Sequence, residues 1–246
     1  MDTRRDVNMQ AQGRAATYDE GLRSYMLRVY NYMAMGVALT GIVTLIMANS
    51  PALLQTLAMG IGKWVVFFAL LGMGWFSPKI MTMKNTSLAQ LYYWVYAALW
   101  GILISPLIVH FLSIENGVYD IARAFFITTG MFVGMSLVGY TTKRDLSGMG
   151  RFCIMAVIGL LITGLVQMIF FEASTTFSLI FSSLAVLLFA GMTAYETQAI
   201  KDMYVQNAQA GDTTITRMAV FGALMIYGNF IVMFIHILNI LGIMRE

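Results

Sequence analysis

Met218-Ala219-Val220-Phe221-Gly222-Ala223-Leu224-Met225-Ile226-Tyr227-Gly228-Asn229-Phe230-Ile231-Val232-Met233-Phe234-Ile235-His236-Ile237-Leu238-Asn239-Ile240-Leu241-Gly242-Ile243-Met244 contains no Asp, Glu, Lys or Arg. A helix of that length is about 40 Å long, more than enough to cross a hydrocarbon layer about 30 Å thick. Working back toward the N-terminus, six further apolar runs of similar kind lie at residues 29–47, 57–77, 91–113, 122–140, 152–171 and 176–197. The weakest is 57–77, because Lys63 sits in its first half and must snorkel to an interface or shorten the span. Composition agrees: 59% of the 246 residues are hydrophobic and 11% charged, far from the norm of a soluble domain. The expectation is an all-α polytopic membrane protein of seven transmembrane helices, with residues 1–28 as a polar cytoplasmic tail and residues 29–246 as the transmembrane domain.

Orientation follows from the basic residues, which gather in cytoplasmic connections. Arg4, Arg5, Arg14, Arg23, Arg28, Lys79, Lys84, Lys143, Arg144, Arg151, Lys201 and Arg217 fall on one side, whereas only Lys63, Arg123 and Arg245 fall on the other. The N-terminus is therefore expected in the cytoplasm and, with seven spans, the C-terminus outside. The sixth connection, 199–217, is the longest, so no soluble domain is expected between spans. A net charge of +3 without one basic surface argues against nucleic acid as a partner. Cys153 is the only cysteine, which excludes an intrachain disulfide, and no cleaved signal peptide is expected. Tyr and Trp residues cluster near the predicted interfaces as anchors. The 21 methionines share no spacing and read as flexible apolar filler, so no firm metal site and no cofactor are expected.

Glu196, in Gly191-Met192-Thr193-Ala194-Tyr195-Glu196-Thr197-Gln198, is the one carboxylate expected within reach of hydrocarbon depth. It stands about 9 residues, or 13–14 Å, from a midpoint near Leu187. Facing a protein cavity it would bind a cation or sense protons; facing headgroup water it would be a structural residue. In the seventh run Asn229 and His236 are seven residues apart, within about 20° on one helical face. Gly222 precedes them on that stripe and Asn239 follows nearby, which suits either a polar lining or interhelical hydrogen bonding. His110 reads as a wetted interfacial residue. Gly130 and Gly134 form a small-xxx-small pair that indicates helix packing, internal or between subunits. Ser136 with His236 lacks the Gly-x-Ser-x-Gly spacing of a hydrolase, and a single intramembrane acid cannot form an aspartyl dyad. No enzyme is expected. A retinal protein would need a lysine in its last span, and a G-protein-coupled receptor the opposite orientation.

Gly139-Tyr140-Thr141-Thr142-Lys143-Arg144-Asp145-Leu146-Ser147-Gly148-Met149-Gly150 resembles the fourth-to-fifth span connection of bacterial Bax inhibitor family (transmembrane Bax inhibitor motif family) proteins. Arg123-Ala124-Phe125-Phe126-Ile127-Thr128, Phe189 through Gln198, and Phe221-Gly222-Ala223-Leu224 extend the likeness from about residue 20 to the end. The resemblance implies six helices around a polar central seventh, and a pH-sensitive calcium leak across the inner membrane. It also implies a sixth-span acid bonded to a seventh-span acid. Glu196 matches the first acid, but where the family commonly shows Tyr-Leu-Asp-Phe-Ile-Asn this chain has Tyr227-Gly228-Asn229-Phe230-Ile231-Val232, so the second acid is lost at Gly228. Asn229 could accept or donate a bond to Glu196, yet it lies about 100° around an ideal helix from Gly228 and is expected to be no simple replacement. On this reading Glu196, Asn229 and His236 bind or gate a cation, calcium being the candidate ion, and Lys143, Arg144 and Asp145 are charges of the cytoplasmic face. Bacterial relatives linked to membrane-protease quality control imply the alternative: a non-conducting regulator that binds a membrane-anchored protease or another membrane partner.

Overall fold

The computed structural model describes residues 3–170 and 174–245, and among these residues it is helical throughout, with no strand. In chain order the helices are α1 (Thr3–Ala48), α2 (Pro51–Leu53) running into a π-helical segment (Leu54–Met59), α3 (Gly62–Phe76), α4 (Lys79–Thr82), α5 (Thr86–Leu112), α6 (Gly117–Thr141), α7 (Ser147–Phe170), α8 (Thr175–Asn207) and α9 (Asp212–Ile243). Six stretches are long and apolar enough to cross a membrane: Asp19–Ala48 of α1, α5, α6, Ser147–Gln167 of α7, α8 and α9. The expected second span differs. Its backbone breaks at Gly60 and Ile61, and the pieces on either side, Pro51–Met59 and Gly62–Phe76, meet at 58°. The break falls just before Lys63, so the lysine occupies the first turn of a new helix and does not have to lie inside a continuous apolar one.

Helix directions follow from the contacts. Thr40 meets the carbonyl of Ala97 and Thr44 that of Gly101. The constant offset of 57 residues means that α1 and α5 run parallel. The residues between them therefore return the chain from the Ala48 end to the Thr86 end, where the Tyr92 hydroxyl donates to the Met73 carbonyl of α3. Close approach of α1 and α5 needs Gly101, because a Cβ there would stand 2.9 Å from the Thr40 carbonyl oxygen. Inside α5, Pro106 has no N–H for the Ile102 carbonyl. The Ser105 hydroxyl donates to that carbonyl at 2.7 Å instead, and α5 continues to Leu112.

α9 is the most enclosed of the six long helices, 78% buried over its most apolar window against 39% or less for the others. α8, α1, α6 and α5 pack around it, while α7 packs on α8 and leaves most of its surface outward. Both ends of α9 are tied. At one end Arg28 pairs with Asp212 at 3.0 Å and bonds Thr216, and Arg217 donates to the Met83 carbonyl. At the other, Arg245 pairs with Asp120 of α6 and donates to the Glu115 carbonyl.

Several sequence expectations shift. The connection expected over 199–217 is only Ala208–Gly211, because α8 continues as regular helix to Asn207 and α9 starts at Asp212. α1 runs unbroken across the expected boundary between tail and span at residues 28 and 29. Gly130 and Gly134 face open space, so their pair packs no helix within the chain. Two other glycines of α6 do so: Gly117 against the Phe111 backbone of α5, and Gly139, where a Cβ would stand 2.1 Å from the Ala194 carbonyl oxygen of α8.

Candidate functional site at the α8–α9 seam

α8 and α9 run antiparallel, which sets Glu196 against Asn229 and Ser182 against His236 and Asn239. The Asn229 amide donates to Glu196 Oε2 at 2.7 Å. The bond that Asn229 could offer Glu196 is thus made, with the asparagine as donor. The crossing of α8 over α9 brings Gly228 and Asn229 to the same cavity, and the asparagine reaches the acid from a position about 100° around the helix. An amide bonded to a carboxyl group holds it in one rotamer and satisfies part of its hydrogen-bonding need away from water.

The cavity beside this pair has a volume of about 520 Å³ and lies among α3, α5, α7, α8 and α9. Glu196, Asn229 and His236 all line it, so the structure brings the expected cation-site residues together on one wall. Gly228 lines it too. A Cβ at Gly228 would meet only the Tyr96 hydroxyl, at 3.8 Å, an ordinary contact. Gly74 of α3 stands in the same relation to that hydroxyl, which therefore sits between the two glycines.

His236 is held from behind. Asn239 Nδ2 donates to Ser182 Oγ at 2.9 Å, and Ser182 Oγ lies 3.1 Å from His236 Nδ1. The serine hydroxyl keeps a second lone pair and its proton, so it holds Nδ1 either as donor or as acceptor, and the contact fixes the ring's position under either tautomer. His236 is thus engaged in interhelical hydrogen bonding through one nitrogen, the structural alternative for this stripe, while its ring still lines the cavity and packs on Phe181 at 5.7 Å between centroids. Among the described residues no group of three or more His, Cys, Asp and Glu could hold a metal ion.

Lys143 and Arg144 are exposed in the connection between α6 and α7, and neither pairs with Glu196 among the described residues. That connection is clamped by Gln198, whose amide nitrogen donates to the Arg144 carbonyl and whose oxygen accepts from the Leu146 N–H, both at 2.9 Å. Asp145 accepts from the Ser147 N–H at 2.9 Å. The Ser147 hydroxyl and N–H, with Arg151 nearby, hold the exposed Asp145 carboxyl below the usual carboxylate range. His110 is exposed in the last turn of α5, as an interfacial residue would be, and Ser136 meets Thr197 rather than His236.

Sequence reasoning missed Ser182, Tyr96, Gln198 and Asp120. Asp120 is a second buried acid, 4% exposed, with Arg245 at 2.5 Å and Arg123 at 3.6 Å. Its proximity to Arg123, three residues along one helix face, was the available signal; Ser182 and Tyr96 carried none, because buried hydroxyls in apolar runs look like any packing residue.

The description inhibitor of apoptosis-promoting Bax1 matches residues 22–246. The chain belongs to the Bax inhibitor family. It is 36% identical over 231 residues to the protein RP147 of Rickettsia prowazekii (strain Madrid E), covering 94% of each chain. It is 34% identical over 226 residues to the inner membrane protein YbhL of Escherichia coli (strain K12), covering 90% of this chain and 92% of that one. It is 31% identical to the membrane protein SpyM3_0260 of Streptococcus pyogenes serotype M3, covering 91% and 94%. Six apolar helices and these relatives make this family member a multi-pass protein of the inner membrane. The family segment begins at residue 22, on the same helix that carries Arg28 and its tie to α9.

Proposed function

We propose that the chain is a passive, proton-sensitive cation leak, with calcium as the candidate ion, in which Glu196 is the gate and α9 the polar central helix of seven spans with a cytoplasmic N-terminus. The observation that carries the reading is the Glu196–Asn229 hydrogen bond on the wall of a cavity that continues along α9 to His236. A deprotonated Glu196 attracts a cation into that cavity; a protonated one does not. Asn229 and His236 supply polar lining. A leak needs sites weak enough to release what they bind, and one carboxyl group with an amide fits that better than the six to eight oxygens of a calcium-storage site. The parallel run of α1 and α5 supports counting the bent pair as a span, and the basic residues at the Arg28 end support the orientation. No catalytic step and no cofactor enter this reading.

Reconstitution into liposomes loaded with a calcium dye tests it. Wild-type flux rises from about pH 6 to about pH 8, whereas Glu196→Gln loses the dependence; equal curves for the two reject the gate.

A second reading is favoured by a different observation. Two connected apolar grooves between α1 and α6, of about 690 and 400 Å³, share Val37, Phe125 and Phe230, with the buried Phe230, Ile231 and Phe234 of α9 at their floor. A partner's membrane helix, such as the anchor of a membrane protease, fits such a groove, and a non-conducting regulator would use it. That reading predicts co-purification of the partner and no flux.

A further inference from the structure

Apart from the groups already named, the walls of the Glu196 cavity are almost wholly apolar and aromatic, Trp100, Phe67 and Phe181 among them. Its mouth is equally distinctive. Leu71 of α3 and Leu161 of α7 both line it and are 37% and 38% exposed, so the cavity reaches the apolar outer surface of the bundle between these two helices, the surface that lipid covers in a membrane protein. A solute in the bilayer can reach it without crossing headgroups.

A carboxylate in such a place needs a positive partner to be held charged, since charge buried without pairing is costly. A bare divalent ion is a poor resident partner. Calcium takes six to eight oxygens, whereas here Asn229 turns its amide N–H, a donor, toward Glu196, and no third metal-binding side chain stands near among the described residues. A protonated amine needs far less: one carboxylate oxygen, and aromatic faces, which attract ammonium groups and cover its carbon body. A volume of about 520 Å³ is that of a small-molecule site.

We infer that the cavity is a binding site for a lipophilic amine, which enters from the membrane between α3 and α7, places its ammonium on Glu196 and its apolar body against Trp100, Phe67 and Phe181. The ligand occupies the space through which the proposed cation path runs, so binding blocks flux. The inference shares Glu196 with the leak reading but does not depend on flux occurring.

The test compares 2-naphthylmethylamine with 2-naphthylmethanol, alike in shape and differing in charge, by thermal unfolding of the full chain in detergent. The amine raises the wild-type melting temperature by about 3 °C more than the alcohol at saturating concentration. Glu196→Gln abolishes that difference, Glu196→Asp keeps it, and Leu161→Trp at the mouth reduces the response to both compounds. Equal action of amine and alcohol on the wild type overturns the inference. So does a full amine preference in Glu196→Gln. Should Glu196→Gln not fold, an undiminished response in Leu161→Trp overturns it alone. Amine preference without pH-dependent flux removes the leak reading and leaves this one; pH-dependent flux without amine preference does the reverse.

Discussion

At the scale of single residues, Gly228 offers Glu196 no side chain, yet the acid is not left alone. Asn229 bonds the carboxyl group, and the space at Gly228 stays open up to the Tyr96 hydroxyl. An acid placed there meets no backbone, so Gly228→Asp is expected to fold. Two carboxyl groups in one cavity titrate as a coupled pair, and the variant's flux–pH curve is expected to spread into two steps; a single step like the wild type's would mean that position 228 does not face Glu196. Asp145 supplies the opposite control. Ser147 and Arg151 hold its carboxyl below the usual range, so what it contributes is complete above that range and is lost only as the pH falls through its lowered folded value, below about pH 4. Asp145→Asn should therefore leave the flux–pH curve between about pH 6 and 8 unmoved, as liposome flux would read. Glu196 and the stripe of Asn229 and His236 were legible in the sequence because a polar residue in an apolar run stands out. The bond between Glu196 and Asn229 was not, because it depends on how two helices cross. Helical angles within α9 alone left the bond open without deciding it.

At the scale of elements, the core depends on a few close approaches and on the ties of α9. A Cβ at Gly139 overlaps the Ala194 carbonyl oxygen, while Gly130 and Gly134 look into open space. Gly139→Val is expected to lower the melting temperature in detergent by an amount corresponding to about 2–4 kcal/mol, and Gly130→Val to change it little; similar losses would contradict the α6–α8 contact. The pattern of small residues four apart was visible in sequence, but spacing says only that a face is small, not what it meets. At the Arg245 end of α9, Asp120 is buried and Arg245 partly exposed. Arg245→Ala leaves Asp120 with Arg123, itself 70% exposed, and is expected to cost about 1–3 kcal/mol by the same measurement. The spans themselves were well marked by length and apolarity. Their ends were not, because α1, α8 and α9 continue as helix beyond the apolar stretch, where polar side chains reach water while the backbone keeps its hydrogen bonds. The break at Gly60 and Ile61 had one trace in the sequence, Lys63 within an apolar run.

At the scale of the whole molecule, charge and connectivity point the same way. Arg28, Arg217, Lys84 and Arg144 lie at or near one end of the bundle, and Arg123 and Arg245 at the other. If the bent pair crosses the membrane, the termini lie on opposite sides. With Cys153 replaced by Ser, a cysteine at position 245 should react with an impermeant thiol reagent added to intact cells, and one at position 3 only after lysis; equal protection of both would mean that the pair does not cross. The grooves between α1 and α6 and the cavity beside Glu196 are both lined by α9, the most enclosed of the long helices. The measurement that tests the account most directly is calcium flux through the reconstituted full chain against pH, with Glu196 and with Gln in its place. With Glu196 as the gate, wild-type flux rises between about pH 6 and pH 8 and the Glu196→Gln curve is flat. A Glu196→Gln protein that conducts with the wild-type pH dependence would contradict it.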